Sequence, residues 1–102
     1  MTEVTIINHI EVKPGKIDEF LGLQQAFAAK LSDKPSGLVG GRMYRSADGL
    51  SAVLISQFES AEAQARILQS DAFQQHIGRL RELIVSSSPK FYEAAYTTGA
   101  FQ

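Results

Sequence analysis

Residues Val4 to Val12, VTIINHIEV, alternate strictly, and this alternation constrains the fold more than any other feature of the chain. Successive side chains of an extended strand point to opposite faces. Val4, Ile6, Asn8, Ile10 and Val12 therefore share one face, and Thr5, Ile7, His9 and Glu11 share the other. The first row is aliphatic except at Asn8, where an amide without a partner would cost about 1–3 kcal/mol. Asn8 needs a hydrogen-bond partner, either a backbone group or a ligand.

Further along, "KPGK" closes the strand with Pro14 placed to open a helix at its first turn. From Ile17 the residues Phe20, Leu21, Gln24, Phe27, Ala28 and Leu31 recur at spacings of three and four, one buried helix face, and "SDKPSG" stops it. Leu38 to Arg45 and Leu50 to Phe58 read as strands joined by "SADG", whose Asp48-Gly49 suits a hairpin. "ESAEAQARILQS" reads as a short helix. Ser70 or Asp71 caps a further helix running to about Val85, with Phe73, Ile77, Leu80 and Ile84 on its apolar face. "SSSP" ends that helix, since Pro89 disfavours helical geometry at Ser88, and "KFYEAAYTT" is the last strand.

The order is strand, helix, strand, strand, helix, strand, so the expected class is α+β, a ferredoxin-like β-α-β-β-α-β fold with an antiparallel sheet. Helices cover one face of such a sheet. Ile7, Val39, Met43, Val53 and Ile55 fall out of phase with the first apolar row, which leaves the other face aliphatic too. A second copy would cover it, so a homodimer is expected.

The 102 residues fit one domain, 1–102, able to bury roughly two-thirds of the surface its unfolded form exposes. Ten Lys and Arg against eleven Asp and Glu leave a net charge of −1, which disfavours nucleic acid and anionic membranes as partners. The absence of Cys excludes disulfides, thiolate zinc sites and a cysteine nucleophile. Glu3 near the N-terminus and the polar Asn8, His9 and Glu11 fit neither a secretion signal nor a membrane span. A cytoplasmic protein is the expectation.

Few residues offer chemistry. His9 shares its face with Ile7 and Thr5 and reads as a subunit-contact residue. His76, three residues after Phe73 and four before Leu80, turns toward the apolar helix face, where an imidazole is a reasonable general base. Neither His has the HxH, HxxxH or ExxH spacing of a metal site. Gly40 and Gly41 in "GLVGGR" read as a bulge or close packing rather than a phosphate cradle. Ser86, Ser87 and Ser88 read as turn residues. Aromatic side chains spread over helices and strands can wall a cavity between sheet and helices, with Asn8 as its polar group.

Three stretches, "IINHIEVKPGKIDEFL", "AVLISQFESAEAQARILQSDAFQQHI" and "FYEAAY", resemble the antibiotic biosynthesis monooxygenase (ABM) family over nearly the whole chain. The resemblance implies a homodimer whose sheets join in a dimeric α/β barrel. It also implies a pocket between sheet and helices where quinol- or anthrone-like aromatic molecules are oxygenated without metal or flavin. On this sequence it makes Asn8 the orienter or oxyanion donor and His76 the base. Phe58, Ile67 and Phe73 are then the substrate-binding residues.

A branch of the same family degrades haem with a strand Asn, a helical Trp and a His. Asn8 matches the first of these. The chain has no Trp, however, with Ile67 near its expected place, and His76 is displaced by about one residue, about 100° around a helix. Haem degradation therefore ranks below the quinol-type reading. The alternative from another class is a non-catalytic ligand-binding or stress-response dimer, favoured by the lack of a strict catalytic motif.

Overall fold

The computed structural model describes residues 3–33 and 35–101. Seven elements follow one another: β1 (Val4–Val12), α1 (Ile17–Ser32), β2 (Leu38–Arg45), β3 (Ser51–Phe58), α2 (Ala61–Gln69), α3 (Asp71–Leu80) and β4 (Ile84–Tyr92). The four strands form one antiparallel sheet in the order β2-β3-β1-β4. Strand β3 thus lies between β1 and β2, which α1 connects, and this is the split β-α-β arrangement expected from the pattern.

Alternation on β1 decides which face the helices cover. Val12 and Ile10 are only 2% and 3% exposed and pack with Ile17 and Phe20 of α1, Ala52 of β3, and Leu80 and Leu83. Phe20 is fully buried. Truncating such a ring costs about 3–5 kcal/mol. Burial then weakens toward the other end of the same row, where Asn8, Ile6 and Val4 are half-buried. The helix layer is tight over the Ile10–Val12 end and looser over the end where Asn8 begins.

Local chemistry sets the boundaries. Ser60 accepts a hydrogen bond from the Ala63 N–H and Ser70 from the Phe73 N–H, capping α2 and α3 and filling two of the donors every helix start leaves open. Gly49 in the β2–β3 connection has φ +72°, as its place in "SADG" requires.

Pro14 departs from the sequence reading. It sits in a turn rather than in the helix: the Lys16 N–H donates to the Lys13 carbonyl, Gly15 takes φ +76°, and α1 starts only at Ile17. Pro followed by a positive-φ Gly is the composition of a type II turn. On α1 itself Ala28 is exposed, and Leu23 packs against the core instead.

Strand β2 contains the bulge that its glycines suggested. Leu38 pairs with Phe58 but Gly40 pairs with Gln57, so Val39 is extra and the alternation changes phase there. This overturns the placement of Met43 on the open face: it lies opposite Leu54 and packs on the helix-side core. Val39 is the bulged residue and half exposed. Ile7, Val53 and Ile55 do share the open face, with Ile7 opposite Ile55 and His9 opposite Val53.

The largest departure is at the C-terminal end. Helix α3 stops at Leu80, not near Val85, and β4 runs through "SSSP". Buried Leu83 anchors the turn, its N–H on the Leu80 carbonyl and its own carbonyl accepting from the Lys13 N–H. Pro89 is tolerated because β4 is an edge strand, where a missing N–H costs little. Ser86, Ser87 and Ser88 are therefore strand residues.

Candidate functional site

Asn8 projects from the helix-covered face of β1, between Leu54 on β3 and Pro89 on β4. Pro89 has no N–H for the ladder. The side chain of Asn8 reaches β4 instead: its Oδ1 accepts from the Ser88 N–H at 3.0 Å and from the Ser87 hydroxyl at 3.0 Å. Two donors fix which end of the amide faces β4, since only the oxygen can accept. Nδ2 then points away from β4 and has no hydrogen-bond partner among the described residues. Asn8 is thus a half-buried amide with its acceptor filled by β4 and its Nδ2 open to solvent.

His76 is 5% exposed and lies in the seam between α3 and α1. Its ring stacks on Phe27, centroids 4.3 Å apart and planes within 6°. Nε2 hydrogen-bonds to Gln24 Oε1. An amide oxygen can only accept, so Nε2 carries the hydrogen and Nδ1 keeps the lone pair. Burial pushes the pKa of His76 down, and the charges of Arg79 and Lys30 push it the same way. All three effects favour the neutral imidazole.

Among the other sequence-derived positions, Phe73 joins His76 through Phe27, whose ring centroid is 5.9 Å from that of Phe73 at a 58° tilt. Phe58 and Ile67 are buried, Phe58 at the end of β3 opposite Val4 and Ile67 on α2. The groove that His76 lines is bounded by α1 and α3 residues, and Asn8 is not among them. His9 is exposed on the opposite face of the sheet, beside a cavity of about 290 Å³ also lined by Glu11, Ser51, Val53, Ser86 and Ser88. Among the described residues no group of three His, Asp or Glu could hold a metal ion. An axial haem ligand drawn from His76 Nε2 would have to displace Gln24, so the residues present do not fit that role.

Sequence reasoning missed Ser87 and Ser88 as the partners of Asn8, and Gln24 and Phe27 as those of His76. Gln24, a polar member of the apolar stripe of α1, was the available signal. Nothing local signalled the serines, because their role depends on β4 lying beside β1.

The family model for antibiotic biosynthesis monooxygenase matches residues 3–79. The chain belongs to the antibiotic biosynthesis monooxygenase family. Among solved ABM-like structures, SnoaB of Streptomyces nogalater, a cofactor-independent oxygenase, is 30% identical, with a TM-score of 0.82 over 95% of this chain and 97% of that one. The putative antibiotic biosynthesis monooxygenase of Nitrosomonas europaea superposes with a TM-score of 0.80 at 17% identity, covering 95% of this chain and 94% of that one. Its counterpart from Caulobacter crescentus CB15 gives 0.82 at 16%, covering 93% and 92%, and both share the ABM fold. No curated protein matches by sequence. No helix among the described residues is long and apolar enough to cross a membrane.

Proposed function

We propose that the protein is a cofactor-independent monooxygenase that oxidises a quinol- or anthrone-like aromatic molecule held between sheet and helices. The observation that carries this reading is the state of Asn8: Oδ1 is held by Ser87 and Ser88, and Nδ2 has no partner among the described residues. The likeness to SnoaB over 95% of the chain supports it.

In an anthrone-like substrate a base removes a proton from the ring CH₂, and the electron pair becomes an enolate. The Asn8 amide donates to that enolate oxygen, stabilising charge where it develops. The enolate reduces O₂ directly. The CH₂ carbon ends as a carbonyl with one oxygen atom, and the other leaves as water with the two hydrogens, so atoms and electrons balance. His76 lines a separate groove that Asn8 does not enter, so in this reading the proton passes to solvent rather than to His76.

The same reading has the protein acting as a homodimer. Ile7, Val53 and Ile55 form an aliphatic patch on the sheet face away from the helices, flanked by Tyr44 and Tyr92, which are 42% and 41% exposed. A second sheet laid on this face would bury it.

Oxygen uptake with an anthrone or a reduced naphthoquinone tests the reaction. Consumption above the uncatalysed rate, reduced in Asn8→Ala, is the expected result. A rate indifferent to this substitution would remove the proposed site.

A further inference from the structure

The seam between α1 and α3 opens to solvent in a groove of about 60 Å³ lined by Leu23, Phe27, Lys30, Gln75, His76 and Arg79, with Ala26 and Ala72. Two cations face it from different helices, Lys30 from α1 and Arg79 from α3, and no carboxylate lines it. Neither cation has an ion-pair or hydrogen-bond partner among the described residues.

Two like charges brought to one groove repel each other and the proton on any nearby base. Both side chains are exposed, so water screens part of this repulsion, and no carboxylate lines the groove to offset the rest. The amide of Gln75 adds a donor at the rim, and the imidazole of His76 is 95% shielded from solvent, its Nε2 committed to Gln24. The space suits one carboxylate or phosphate group and is too small for a fused aromatic ring system, which needs several hundred Å³.

We infer that this groove is an oxyanion-binding site, distinct from the Asn8 position, in which Lys30 and Arg79 clasp one carboxylate or phosphate group over the His76 ring. The inference does not depend on the oxygenase reading, because charge, geometry and the missing counter-ion carry it. Arg79 can meet the anion with two parallel N–H groups, whereas Lys30 acts as a point charge. The charged groups that face His76 are these two cations, Lys30 from α1 and Arg79 from α3. An anion between them offsets their effect on the ring, so its binding takes up a proton at His76.

NMR of the His76 ring resonances in the intact protein, titrated with inorganic phosphate, acetate or chloride at constant ionic strength, tests the inference. Phosphate or acetate should shift the resonances saturably and raise the pH at which His76 titrates. Saturation by both marks the carboxylate or phosphate group itself as the feature recognised, and saturation by one identifies which is preferred. Lys30→Met and Arg79→Gln alter exposed side chains and should each weaken binding about tenfold, with Lys30→Glu abolishing it. An equal response to chloride, a response that does not saturate, or unchanged affinity in the variants would overturn the site.

Discussion

Asn8 Oδ1 accepts the Ser88 N–H at 3.0 Å, a side-chain bond from the inner strand β1 to the edge strand β4 beside the one β4 position, Pro89, that lacks an amide hydrogen. The bond separates two roles of one side chain. Its oxygen is held by β4, and its nitrogen is the group that the proposed function assigns to the substrate.

Substitutions at Asn8 should separate those roles. Asn8→Ala removes the acceptor of the Ser88 N–H and should lower stability by about 1–2 kcal/mol in urea denaturation. Asn8→Asp keeps an oxygen for Ser87 and Ser88 and should unfold close to the parent. Equal stability of the alanine and parent proteins would show that the bond contributes nothing.

The depressed pKa of His76 has a consequence for stability, set first by burial and then by Arg79 and Lys30. The unfolded chain takes up a proton near the ordinary value of 6.5, while the folded ring resists it to lower pH. Below about pH 6.5 the unfolded state thus binds more protons, and stability falls as pH drops toward the folded value. His76→Phe keeps a ring for Phe27 but cannot titrate. The loss of stability from pH 7 to 5.5 should be smaller in this variant, and identical losses would contradict the assignment.

Close packing at two glycines gives a graded prediction. A Cβ on Gly37 would lie 2.5 Å from Ala63 Cβ, at φ +92°, and one on Gly41 would lie 2.8 Å from the Ile55 carbonyl oxygen. Gly37→Ala should cost roughly 1–3 kcal/mol from backbone strain alone, with the clash added. Gly40→Ala meets nothing within 4 Å and serves as the control. Thermal melts in which all three behave alike would refute the packing argument.

The open sheet face yields a test of assembly. Val53→Lys places an ammonium in the patch formed with Ile7 and Ile55. Light scattering at micromolar concentration should give twice the chain mass for the parent and a lower mass for the variant. A monomeric parent would contradict the homodimer.

Much of the fold was legible because periodicity is local. Strand β1, the Asp48-Gly49 connection, the Ser70 cap and a bulge beside Gly40 each follow from neighbouring residues. The errors arose where tertiary context decides. Met43 changed face through the single extra residue at Val39. The serines of β4 read as a turn because Pro89 is compatible with a strand only at a sheet edge, and edge position is not written locally. The inward placement of Asn8 and the burial of His76 were accessible from spacing, whereas Ser87, Ser88 and Gln24 as their partners required the folded chain.

The most direct test of the central claim is oxygen uptake by the parent and by Asn8→Asp with an anthrone substrate, the fold of each verified by circular dichroism. The parent should consume one O₂ per substrate above the uncatalysed rate. The variant keeps the bonds to β4 but loses the N–H donor and should fall about a hundredfold. A parent no faster than buffer, or a variant as fast as the parent, would contradict the account.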